Sequence, residues 1–249
     1  MSQNKKGQYS TIGIEVMNIG YHNINGLKVN KGKIDLIVDF MEEKGIGVLG
    51  LGETNISELE GKMLFKNNKK YRSFWTAADG NKKKGSGVGI IIEKVWEKHV
   101  SGIESINPYT LNIRLDFRGL KVHIIAVYIA PTNNEIQEEM YKYLKEQLEQ
   151  PCRKQTKFII MGDFNTELEE RDTEEEKEAQ KQKKGKNKKK LILEMLEEKD
   201  MLDIHKATNP KKRITTWVGR EVKRKSTTFE SQRAGIIAFS RVRYMMQTK

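Results

Sequence analysis

The amino-acid sequence predicts an α/β fold, built as a large sandwich of sheets and helices rather than as a doubly wound open sheet. Three observations carry that expectation. Short apolar runs of strand length alternate with segments whose apolar residues recur every three or four positions. Several strands are joined by short polar turns, as in hairpins, which a purely parallel sheet does not use. The chain has 249 residues, enough to bury a large core in one unit.

The first strand is read over residues 12–19, followed by the polar cluster Tyr21-His22-Asn23-Ile24-Asn25-Gly26-Leu27. From Gly32 to Lys44 the residues Ile34, Ile37, Val38 and Met41 share one face of a helix, with Gly45 as its stop. Residues 46–51 are apolar enough to be buried on both faces, and Glu53 follows directly. Strands over 71–76 and 85–92 flank a polar loop. Gly85, Gly87 and Gly89 match no phosphate-binding pattern, so close backbone approach explains them better.

Residues 111–115 and 122–127 form a hairpin around Arg118-Gly119 that ends at Tyr128-Ile129-Ala130-Pro131. The spacing predicts a helix over 135–149, which Pro151 terminates. A strand over 158–165 carries Gly162-Asp163-Phe164-Asn165 at its end. Leu191, Ile192, Met195 and Leu196 mark a further helix, and residues 214–217 a short strand. Residues 1–10 read as a flexible N-terminus. Residues 11–249 read as one domain interrupted by an insertion at 169–190.

That insertion holds seven acids and nine bases with almost no apolar side chain, so burial cannot offset its ordering entropy. It contributes +2 of the formal net charge of +12 and leaves +10 on the rest of the chain. A basic body favours a polyanionic partner, nucleic acid first, with solubility as the bland alternative. A lone cysteine, Cys152, excludes an intrachain disulfide and a cysteine-based zinc site. No stretch approaches the ~20 apolar residues of a membrane span, and the first ten residues lack the apolar core of a secretory signal. An intracellular location, nuclear or cytoplasmic, and no membrane partner are therefore expected.

Three strand ends carry polar side chains: Asn23 with Asn25, Glu53, and Asp163 with Asn165. Singly, each has a bland explanation. Asn23, Asn25 and Asp163 suit turns, and Glu53 suits a helix N-terminus. Together they offer oxygen atoms where a metal-bound phosphate could meet them. Tyr128 closes another strand, where a packing role is equally open.

In order, Asn23-Ile24-Asn25-Gly26-Leu27, Gly52-Glu53-Thr54, Val127-Tyr128-Ile129-Ala130-Pro131, Gly162-Asp163-Phe164-Asn165-Thr166 and Thr216-Trp217 resemble the endonuclease/exonuclease/phosphatase superfamily. Within it the chain looks most like the apurinic-type endonuclease domains of non-LTR, LINE-type retrotransposons. The resemblance implies a DNase I-like, four-layer α/β sandwich of two packed mixed sheets flanked by helices. It also implies Mg²⁺-dependent phosphodiester hydrolysis of DNA, with Mn²⁺ as the alternative ion. By resemblance Glu53 is the metal ligand, and Asp163 orients or deprotonates the attacking water. Asn165 holds that water or the phosphate in line. Asn23 bonds the phosphate or a metal-bound carboxylate, and Tyr128 donates to a phosphate oxygen.

The closing motifs depart from the family. Ser240-Arg241-Val242-Arg243-Tyr244-Met245 resembles its Ser-Arg-aliphatic-Asp-Tyr strand, but Arg243 stands where the Asp belongs, and no Asp-His pair follows. The expectation is a truncated or decayed copy with an incomplete second sheet and weakened catalysis, because losing one member of a catalytic unit costs several powers of ten. The alternative is a non-catalytic nucleic-acid-binding remnant; a phosphomonoesterase of small phosphates is a third reading. His22, His99 and His205 have no carboxylate partner in the pattern, His123 reads as a structural residue inside a strand, and Trp75 and Trp217 read as core or rim aromatics.

Overall fold

The computed structural model describes residues 15–27, 32–81, 84–130, 133–149, 156–165, 188–204 and 241–244. Most of the 169–190 insertion, the 214–217 strand with Trp217, His205 and the N-terminal ten residues lie outside that set. The elements run β1 (Glu15–Asn23), α1 (Lys33–Lys44), β2 (Ile46–Gly52), α2 (Glu58–Leu64), β3 (Tyr71–Trp75), β4 (Val88–Glu93) and α3 (Lys94–Glu97). They continue with β5 (Val100–Asn107), β6 (Thr110–Phe117), β7 (Leu120–Tyr128), α4 (Asn134–Glu149), β8 (Thr156–Asp163), α5 (Lys188–Glu198) and β9 (Arg241–Tyr244).

Two mixed sheets result, ordered β3-β4-β2-β1-β9 and β5-β6-β7-β8. Each contains one parallel pair, β1 with β2 and β7 with β8, and the remaining pairs are antiparallel. Period-two alternation turns Met17, Ile19 and Tyr21 of the first sheet toward Leu111, Ile113, Ile124 and Met161 of the second, and one buried cluster joins them. The outer face of the first sheet packs Leu49, Leu51, Tyr71 and Trp75 against Ile34, Ile37 and Met41 of α1. On the outer face of the second, Met140 and Leu144 of α4 meet Ile192 and Met195 of α5. Helix, sheet, sheet, helix: the four layers are those of a DNase I-like sandwich.

Local sequence explains the boundaries. Gly45 ends α1 in a left-handed conformation at φ 60°, donating its N–H to the Met41 and Glu42 carbonyls, as a Schellman-type stop should. Every residue of β2 is buried, matching its uninterrupted apolar run. Three elements escaped the periodicity. The seven-residue α2 is too short to show a face, although Ser57 and Glu60 form a capping box. Helix α3 is a single turn, and β5 lies on the sheet edge with alternating exposure. Several expected boundaries shift: β1 extends to Asn23 rather than stopping at residue 19, β4 starts at Val88 rather than at 85, β8 runs Thr156–Asp163 rather than 158–165, and α5 starts at Lys188, inside the segment assigned to the insertion.

Candidate active site

The inward faces of both sheets end in polar residues at the same lip. The parallel register sets Tyr128 opposite Asp163 on β7 and β8, and Asn23 opposite Gly52 on β1 and β2. Strand alternation would send the side chain after Gly52 to the outer face. Glu53 instead adopts φ 52°, a left-handed conformation costing about 1–2 kcal/mol for a residue with a Cβ. Its carboxylate thereby reaches Asn23.

The Asn23 side chain holds the lip together. Its Nδ2 donates to Glu53 Oε1 at 2.8 Å and to Asp163 Oδ2 at 2.9 Å. Both amide hydrogens thus go to carboxylates rather than to a phosphate position. Asn23 and Glu53 are buried, while Asp163 is half-buried. Two carboxylates that share one nitrogen lie within about 6 Å of each other, where like charges repel by about 3 kcal/mol at an effective dielectric near 20. The two amide hydrogens offset part of that repulsion.

The corners carrying Asn23 and Asp163 are near copies. Asn25 N–H donates to Asn23 Oδ1 at 3.1 Å, and Asn165 N–H to Asp163 Oδ1 at 3.0 Å. Asn25 sits at φ 49° and Asn165 at φ 47°. Asn165 Nδ2 also donates to the Ile129 carbonyl at 2.8 Å, tying β8 to the end of β7. Lys33 plays the corresponding part at the first corner, its Nζ bonding the carbonyls of Ile24 and Gly26 at 2.9 Å each.

Tyr128 reaches the lip as well as packing in the core. It is buried, and its hydroxyl hydrogen-bonds the Glu53 carboxylate and the Asn165 side chain. Burial first, then the charges of Glu53 and Asp163, hold its phenol well above the ordinary tyrosine range, so it remains an O–H donor at any physiological pH. Its N–H bonds the Tyr109 carbonyl at 2.9 Å, and the two rings stack with centroids 6.2 Å apart. Tyr109 in turn donates to Asp79 at 3.0 Å. The loop before β4 braces the Glu53 side: Thr54 N–H bonds the Gly87 carbonyl, and Asn55 exchanges bonds with the Ser86 backbone. Gly87 is at φ 85°, and a Cβ there would collide with the Thr54 hydroxyl.

The donor set suits a hard divalent cation. It is all oxygen, from Glu53 and Asp163, and Mg²⁺ needs only one or two carboxylates because it keeps several waters. Among the described residues no group of three or more His, Cys, Asp or Glu forms an all-protein cage. Such a cage is what Zn²⁺ would call for.

Residues 20–228 match the Endonuclease/Exonuclease/phosphatase family. The chain belongs to that family. Similar solved structures agree on the fold. An AP endonuclease from Leishmania major aligns with TM-score 0.61 and 16% identity, over 83% of this chain and 74% of that one. A Neisseria 3′ phosphatase bound to a product DNA hairpin gives 0.58 and 16%, over 83% and 80%. An AP endonuclease from Archaeoglobus fulgidus gives 0.55 and 17%, again over 83% and 80%. No curated protein sequence matches the chain.

Other sequence-predicted positions fall away from the lip. Asn25 is an exposed turn residue. His123 faces outward from β7 against Phe158, and His99 bonds the Asp116 carbonyl through Nδ1. Trp75 is core, its Nε1 donating to Ser73. Arg243 is a correction. Strand β9 pairs antiparallel with the beginning of β1 and sets Arg243 opposite Val16, seven residues before Asn23. Its backbone is therefore ~23 Å along the strand from the lip, not beside the carboxylates. Because β9 joins the first sheet, it leaves β8 at the edge of the second among the described residues. No helix among the described residues is long and apolar enough to cross a membrane. The residues that sequence reasoning missed are Asp79, Tyr109 and Ser86, whose roles arise from contacts about 30 positions apart, and Tyr21.

Proposed function

We propose that the chain is a Mg²⁺-dependent phosphodiesterase of the endonuclease type that acts on DNA, resembling the retrotransposon branch of its family. The single observation that carries this reading is the Asn23 amide bridging Glu53 and Asp163 at the mouth of the two sheets. Glu53, with Asp163 in reach, would hold the ion, whose part is to neutralise charge on the scissile phosphate. Asp163 takes the proton of the attacking water, and Asn165 fixes the Asp163 corner so that this oxygen stays in line. Tyr128, kept protonated by its surroundings, turns its O–H to a phosphate oxygen as charge develops there. The basic body, carrying a formal net charge of +12 overall, favours a polyanionic substrate.

Nicking of supercoiled plasmid in Mg²⁺ tests the reading. The expected result is relaxation that EDTA stops and that Glu53→Gln and Asp163→Asn each reduce by orders of magnitude. Nicking that survives both substitutions would overturn the site assignment. Salt-dependent DNA binding without turnover would instead identify a non-catalytic nucleic-acid-binding remnant of such an enzyme.

A further inference from the structure

The Tyr21 hydroxyl is a buried polar group at the lip whose proton has no acceptor among the described residues. Tyr21 lies two residues before Asn23 on the same face of β1, so its ring sits directly beneath the Asn23 amide. It is 2% exposed, its hydroxyl finds no acceptor among the described residues, and the group that approaches its oxygen is the backbone N–H of Asp163. The ring occupies a notch that β2 leaves open. A Cβ on Gly50 would lie 2.9 Å from the Tyr21 ring and 2.8 Å from Met161, and a Cβ on Gly52 would overlap the Tyr21 hydroxyl itself. The phenol therefore takes the volume that a side chain at position 52 would fill, and brings its oxygen to the level of the two carboxylates.

Packing alone does not call for that oxygen. A phenylalanine would fill the same notch without a buried O–H that lacks an acceptor, which costs stability. What the oxygen faces is the site. The Asp163 backbone N–H approaches it, and the Asp163, Tyr128 and Glu53 side chains lie close enough to act on it. Met161, which closes the same notch over Gly50, precedes Asp163 by two residues on the same face of β8. One side chain thus contacts the strand of each carboxylate and the strand of the amide that joins them.

We infer that Tyr21 is a positioning residue of this site: its phenol, seated in the Gly50–Gly52 notch, sets how the Glu53 and Asp163 carboxylates meet at Asn23. The ring fixes the spacing of β1, β2 and β8 at their ends. The hydroxyl meets the Asp163 backbone at the carboxylate pair and limits the rotamers that Asp163 samples. The inference rests on the phosphodiesterase reading for its rate effect, and on geometry alone for its effect on Asn23.

Tyr21→Phe tests it. In plasmid nicking, kcat should fall about tenfold with KM within about twofold, as expected when reacting groups are misplaced but substrate binding is kept. The melting temperature should change little, because the buried O–H that lacks an acceptor goes together with one weak bond to the Asp163 backbone. A second readout needs no turnover: in the metal-free protein the Asn23 side-chain amide hydrogens should exchange with solvent at least about threefold faster. Wild-type protein that nicks while Tyr21→Phe nicks with the same kcat overturns the inference and leaves the functional reading standing. If the wild type does not nick, the functional reading falls and the Asn23 exchange decides: unchanged exchange overturns the positioning role, and faster exchange supports it.

Discussion

At the ends of β1 and β8 the chain makes the same turn twice. Asn23-Ile24-Asn25 and Asp163-Phe164-Asn165 each bond the i side-chain oxygen to the i+2 N–H, bury the middle residue, and hold the last in a left-handed conformation. Either Asn or Asp serves that turn, since both offer an oxygen acceptor. The corners differ in the atom left over. Position 23 keeps an amide nitrogen and becomes the donor that bridges, whereas position 163 keeps a second oxygen and becomes what is bridged. Fold and chemistry are thus separable here: the turn needs one atom of each side chain, and the site uses the other.

Erasing the difference from the β8 side should have the largest effect. Asp163→Asn keeps the acceptor for Asn165 but removes the carboxylate, so nicking should drop by about 10³-fold or more. The melting temperature should fall by no more than about 5 °C in scanning calorimetry, because the turn survives. A loss of rate accompanied by unfolding would mean that the two roles are not separable.

Erasing it from the other side should act on stability. Asn23→Asp replaces a double donor with a third negative charge. The lost bonds and added repulsion are worth about 3 kcal/mol, or about 6–12 °C in a chain of this size at neutral pH without metal. Acidification or millimolar Mg²⁺ should restore much of it. Unchanged melting in metal-free buffer would contradict the bridging role.

The third residues of the two corners sharpen the comparison further. Asn165→Ala loses the bond to Ile129 and places a Cβ-bearing residue without a local partner in a left-handed turn, for about 1–2 kcal/mol in urea unfolding. Asn25 is exposed, and Asn25→Ala should cost under about 1 kcal/mol. Equal costs would show that the two corners are braced alike.

The smallest effect lies on the far face of the second sheet, away from both corners. Burial first, then Arg114, lowers the His123 pKa from its ordinary value of 6.5. The unfolded chain then binds the proton more readily, so stability is full above that ordinary value and is lost as pH falls through it toward the folded pKa. His123→Gln should flatten the decline in melting temperature between about pH 7 and pH 5 without altering nicking.

Much of this was legible along the chain. Met17, Ile19, Leu111, Ile113 and Leu115 alternate as half-buried strands must, and Ile34, Ile37 and Met41 mark their helix, because side-chain periodicity is a local consequence of backbone geometry. The polar strand ends Asn23, Glu53, Tyr128 and Asp163 stood out for the same reason: each interrupts an apolar run where the sheet should stop. Helix α2 was missed because seven residues show too little periodicity, although its capping box was in view.

What the sequence by itself determined is the list of elements and the polar residues that close them. Only the tertiary structure decided which of those residues meet. The bond from Asn23 to Asp163 spans 140 positions, and the one to Glu53 spans 30. No local pattern encodes such a distance, because two separate parallel pairings and the packing of the sheets set it together. The same holds for Tyr21, whose hydroxyl gains its meaning from a glycine on the next strand and Asp163 on the opposite sheet.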